Sequence, residues 1–245
     1  MARIVYLVTI RPVIYMNNTL INDPNTLYGQ LRRACQKEWH DYCHHPFVQG
    51  IADGSLPLDS FKHYLQQDYL FLIHFARAYA LATYKAGNLD EMRKASDAVS
   101  GTLEKEISLH LDYCAQWGMT EADVINQPEA RANMAYTRYV LERGMAGDIL
   151  DLYTALSPCA VGYAEIGHRL INDPATKKEG NPYWSWIKTY GSDEFMEGAI
   201  QQIEFLDQLA ETRFNERRLP SLQIIFKEAT LLEIGFWQMG LDRSF

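Results

Sequence analysis

Hydrophobic positions along this chain recur at three- and four-residue intervals for almost its whole length, which is the period of helices packed on one face. Asn25-Thr26 caps a predicted helix over about 26–44, with Leu27, Leu31, Ala34, Cys35 and Trp39 along one side, and His45-Pro46 stops it. Residues 50–57 read as a turn-rich link, and 58–86 as one long apolar helix ending at Gly87-Asn88. Asp90 caps the next, which continues to Trp117-Gly118; a short helix from Thr120-Glu121 ends at Pro128, and another covers about 129–143. Gly147-Asp148 opens a helix to about 170 with Pro158 in its interior. A short element over 182–190, a helix capped by Ser192 and running to about 217, and a last one from Leu219-Pro220 to 240 complete the pattern. Only residues 4–15 look β-like, and a lone strand forms no sheet. The expected fold is therefore all-α, a single-domain bundle of about eight helices over 21–245, with no linker or repeat dividing it. Residues 1–20 are set apart, either as an arm that docks on the body or a neighbour, or as a mis-assigned start with Met16 as the true first residue.

Composition narrows the partners. The net charge of −8 leaves no basic excess for phosphates, and no apolar run reaches a membrane span, so neither nucleic acid nor membrane is expected. Cys35, Cys43, Cys114 and Cys159 lack C-x-x-C spacing, which argues against a zinc ribbon and for a reducing, cytoplasmic setting. Aromatic residues make up 12% of the chain; most of those rings must be core, but so many tyrosines also suit a pocket for a flat ligand.

Three helices place a reactive side chain inside an apolar stripe, where desolvation is costly. Asp68 has Phe61, Tyr64, Leu65, Phe71, Leu72 and Phe75 at helical spacing, so it is either a structural partner of an Arg or helix end, or a receptor for heterocyclic N–H groups. Glu233 sits among Phe226, Ala229, Phe236 and Trp237, where burial should raise its pKa toward acid–base duty; a place on the stripe's margin is the alternative. Cys159 lies beside Leu156, Tyr163 and Ile166 and directly follows Pro158, which interrupts helical hydrogen bonding at that turn. Glu106 with His110, and Glu165 with His168, are carboxylate–imidazole pairs, but only one Glu-x-x-His is present where di-iron bundles use two. Salt bridges account for them more simply than a metal-dependent oxidase does, and His44-His45 suits a cap.

Six blocks in order then carry a resemblance: HPFVQGIADGSLP at 45–57, YLQQDYLFL at 64–72, AYT at 135–137, SPC at 157–159 leading to YAEIG at 163–167, YGSD at 190–193, and EIGFW at 233–237. The chain resembles the TenA/thiaminase II family, over about residues 30–241, in its cysteine-bearing branch. The resemblance implies a heme-oxygenase-like helical bundle, a homotetramer, no cofactor and no metal. It implies hydrolysis of 4-amino-5-aminomethyl-2-methylpyrimidine, and more slowly of thiamine, to the 5-hydroxymethyl product in thiamine salvage. Cys159 corresponds to the family's nucleophile, Glu233 to its acid–base group and Asp68 to the residue that holds the aminopyrimidine; Phe71, Tyr136, Tyr163 and Tyr190 correspond to ring-contacting positions. Ala160, Val161 and Gly162 depart from the bulky residues many members carry after the cysteine. A non-catalytic, pyrimidine-binding regulator is the alternative from another class.

Overall fold

The computed structural model describes residues 21–245, so the reading of residues 1–20, including a start at Met16, lies outside them. Among the described residues the chain is helical, without strands. The elements are α1 (Leu27–Ala34), α2 (Gln36–Cys43), α3 (Pro46–Asp53), α4 (Leu58–Lys85), α5 (Leu89–Gly101), a π-helical turn (Thr102–Glu106), α6 (Ile107–Gln116), α7 (Glu121–Ile125), α8 (Arg131–Ala146), α9 (Ile149–Asn172), α10 (Trp184–Tyr190), α11 (Asp193–Arg213) and α12 (Leu219–Asp242).

Several boundaries follow the local chemistry anticipated for them. Thr26 caps α1 by accepting from Gly29 N, Ser192 caps α11 by accepting from Phe195 N, and Asp148 with Asp151 forms a reciprocal capping box at the start of α9. Three segments are divided differently. The first helix breaks at Cys35, whose backbone leaves the helical region (φ −122°, ψ 36°). His45-Pro46 starts a helix as well as ending one: the His45 ring accepts from Phe47 N, and proline at the first position gives up an N–H that has no helical partner there. Residues 50–53 are consequently helix, not link; Phe47, Val48 and Ile51 are fully buried, and Gly54 in the left-handed region (φ 75°) ends the turn. Asn88, not Asp90, caps α5, and the helix expected through 117 widens into the π turn before continuing as α6.

Two long apolar helices, α4 and α9, organise the rest. α4 packs against α5, α6, α8 and α12, and α9 packs against α8, α10, α11 and α12. Between them lies a continuous ring cluster: Trp237 is 5.3 Å from Tyr64 and 5.1 Å from Tyr163 between ring centres, and Trp186 is 4.5 Å from Tyr190. Gly162 belongs to this packing, since a Cβ there would lie 2.2 Å from Tyr42 Cε1. The small side chain after Cys159 is thus what lets Tyr42 of α2 lie against α9.

Candidate active site

A cavity of about 1080 Å³ opens between α4, α5, the π turn, α9, α10 and α11. Asp68, Tyr79, Glu106, Cys159, Tyr163 and Tyr190 are in its lining. Four of the seven positions singled out from sequence therefore face it. Glu233, Tyr136 and Phe71 do not; they form the layer behind, where the Tyr136 hydroxyl donates to Glu233 Oε1 at 2.8 Å and the Phe71 and Tyr136 rings lie 5.0 Å apart.

Asp68 stands in the middle of α4 and is buried, yet its partner is neither an Arg nor a helix end. Tyr64 one turn earlier donates to Oδ2 at 3.1 Å, and His110 of α6 bonds the same oxygen through Nε2 at 2.7 Å. The other ring nitrogen of His110 donates to the Glu106 carbonyl at 2.7 Å. Both imidazole nitrogens thus face acceptors, an arrangement that suits the doubly protonated ring. Burial alone would lower the His110 pKa, but the hydrogen bond to Asp68 and its charge outweigh burial and raise it. The result is an ion pair that leaves Asp68 Oδ1 for a ligand.

Glu233 is sealed in α12, 2% exposed. Burial pushes its carboxyl up to about 8; the Tyr136 hydrogen bond opposes this, and the charge of Asp68 adds to it. The Cys159 thiol and the Tyr42 hydroxyl lie beside it. Burial, followed by the charges of Glu233, Asp68 and Glu106, holds the Cys159 thiol well above its ordinary pKa, so the resting sulfur keeps its proton. Glu106, half-buried on the π turn, is likewise raised, to about 7, by burial; the charge of His110 works against that and the charge of Asp68 with it.

The other carboxylate–imidazole pair does not join this group. Glu165 accepts from Arg32 at 2.6 Å and from Trp39 Nε1 at 3.1 Å, on another side of α9. Among the described residues no three His, Cys, Asp or Glu side chains come together as metal ligands would. Glu106 and His110 were legible only as a helical i,i+4 pair; their place opposite Asp68 depends on a contact 42 residues apart in sequence.

Comparison with known proteins comes after this geometry. Residues 32–243 match the TENA/THI-4/PQQC family. A protein of Halalkalibacterium halodurans named aminopyrimidine aminohydrolase is 38% identical over 215 residues, 87% of this chain and 95% of that protein. The crystal structure described as a TenA family transcription regulator from a Silicibacter species superposes with a TM-score of 0.84 at 41% identity, covering 90% of this chain and 98% of that one. A Shewanella denitrificans domain with a heme oxygenase-like fold matches at TM-score 0.69 and 14% identity, a likeness of fold alone, covering 87% of this chain and 91% of that one.

Proposed function

Because the chain belongs to the TENA/THI-4/PQQC family, we propose that it is an aminopyrimidine aminohydrolase of the thiaminase II type. The observation that carries this reading is that Asp68, paired with His110, and Cys159 face one aromatic-walled cavity, with the raised Glu233 carboxyl directly behind the cysteine. The substrate is 4-amino-5-aminomethyl-2-methylpyrimidine, with thiamine turned over more slowly, in thiamine salvage in the cytoplasm. Residues of this chain supply the chemistry without a cofactor.

Asp68 Oδ1 receives the 4-amino group and fixes the ring against Tyr163 and Tyr190, with Phe71 and Tyr136 backing the pocket. Glu233, protonated at neutral pH and set behind the wall against the Cys159 thiol, passes a proton through that thiol to the ring nitrogen beside C6. The carboxylate so formed takes the Cys159 proton as sulfur bonds C6, and the C6–N bonding pair settles on nitrogen. This order suits a thiol that does not ionise unaided. The lone pair of the 4-amino nitrogen then pushes through C4 and C5, forms an exocyclic C=C bond and expels ammonia from the protonated arm; Asp68 stabilises the positive charge that builds on that nitrogen. Water adds to the exocyclic carbon, the C6–S bond breaks, and the ring proton returns, restoring the aromatic pyrimidine. The balance is one water consumed and one ammonia released.

Incubating the pure protein with the aminomethylpyrimidine should release ammonia stoichiometrically with the hydroxymethyl product. Cys159→Ser should lose at least about a thousandfold in turnover and still bind ligand. Full turnover in that variant would remove sulfur from the mechanism, and tight binding without ammonia release in the wild type would favour the regulatory reading. The chain assembles, on this proposal, as a homotetramer, which sedimentation would read as four times the 28.2 kDa chain mass.

A further inference from the structure

The carboxyl groups around the cavity differ in what they are committed to. Asp68 is bonded to Tyr64 and His110, and Glu233 to Tyr136. Elsewhere, Glu165 holds Arg32 and Glu91 holds Arg213. The Glu106 carboxyl takes no hydrogen bond and makes no ion pair with any described residue, although it lines the same cavity as Asp68 and Cys159. Its backbone is anchored by the His110 ring, so the residue is positioned while its side-chain oxygens stay unengaged. His110 cannot serve as their counter-ion through a hydrogen bond, because both its nitrogens are already taken.

The π turn produces this placement. Ala98, Thr102, Glu106 and His110 follow one another at strict intervals of four. In an α-helix of about 3.6 residues per turn such a row drifts steadily around the axis, whereas the wider i→i+5 turn keeps it on one side. Glu106 ends that turn and is brought to the cavity with Ala98 and Thr102, instead of rotating toward solvent.

An unpartnered, half-buried carboxylate calls for a cation brought by the ligand. We infer that Glu106 is a specificity-determining residue that pairs with the ammonium of the substrate's 5-aminomethyl arm, so that the site selects pyrimidines bearing a cation at that position over the neutral hydroxymethyl product. Glu233 cannot fill this role, since it lies behind the cavity wall. Tyr79 and Tyr190 also line the cavity, and aromatic rings suit the same charge. Burial favours the neutral form of Glu106, so its charge is stabilised when a cation arrives. The inference rests on the aminopyrimidine reading of the site, but its test does not depend on turnover.

Affinities of 4-amino-5-aminomethyl-2-methylpyrimidine and its 5-hydroxymethyl counterpart would be measured by calorimetry in the Cys159→Ser background, with and without Glu106→Gln. The amine should bind about 10- to 100-fold more weakly after Glu106→Gln, and the hydroxymethyl compound should change by less than about twofold. Glu106→Asp, which keeps the charge, should retain part of the preference for the amine. An unchanged amine affinity, an equal loss for both ligands, or the same loss with Asp as with Gln would overturn the inference. Absence of ammonia release by the wild type would instead strike at the proposed hydrolase and leave the affinity difference standing.

Discussion

Glu233 shows at the residue scale how one side chain can be tuned for reaction and weigh on stability. Its carboxyl titrates at about 8 when folded against an ordinary value of 4.5. Between those values the unfolded chain gives up the proton while the folded chain keeps it, so this residue's contribution to stability declines as pH rises through that window and levels above about 8. Glu233→Gln cannot titrate, so its unfolding free energy relative to wild type should climb from pH 5 to pH 8, by on the order of a few kcal/mol, and then flatten. A difference independent of pH would contradict the burial argument. The same variant should lose about a hundredfold in turnover. Asp68, Cys159 and Glu233 were legible in the sequence because their neighbours at three, four and seven residues report what surrounds a side chain along its own helix. That register says nothing of what faces it from another helix. This is why His110 as the counter-ion of Asp68 was not foreseen, and why the retreat of Phe71 and Tyr136 behind the wall was not either.

Among the elements, α9 carries the tightest steric requirement near the site. Pro158 removes an N–H and leaves the Thr154 carbonyl without its helical donor one turn before the cysteine. Gly162, one turn after the cysteine's own neighbours, admits the Tyr42 ring. Gly162→Ala should therefore destabilise the protein by about 1–3 kcal/mol in denaturant unfolding, through overpacking against Tyr42. A neutral result would mean that α2 shifts freely. The element pattern itself was largely open to a reading of apolar period and caps, as Thr26, Asp148 and Ser192 illustrate. What escaped it were places where one signal serves two purposes. Pro46 is both a stop for one helix and the first residue of the next, and the row at 98, 102, 106 and 110 fits a helix until its drift is followed.

On the scale of the whole molecule, the aromatic surplus is divided between core and site, and the division is gradual. Tyr163 and Tyr190 face the cavity; Trp186 and Trp237, 1% and 0% exposed, sit directly beneath them. The heme-oxygenase-like arrangement achieves this by setting α4, α9 and α12 around one shared layer of rings, so that the wall of the cavity is the surface of the core. The chain thus contains its own optical gauge of occupancy. A pyrimidine entering against Tyr163 and Tyr190 alters the surroundings of two indoles that water does not reach, while Trp39 packs against Tyr28 and Phe226 and does not line the cavity. Intrinsic fluorescence excited at the indole band should shift on ligand addition in the unlabelled protein, and Trp186→Phe should diminish the signal, making binding visible in real time even in variants that no longer turn over.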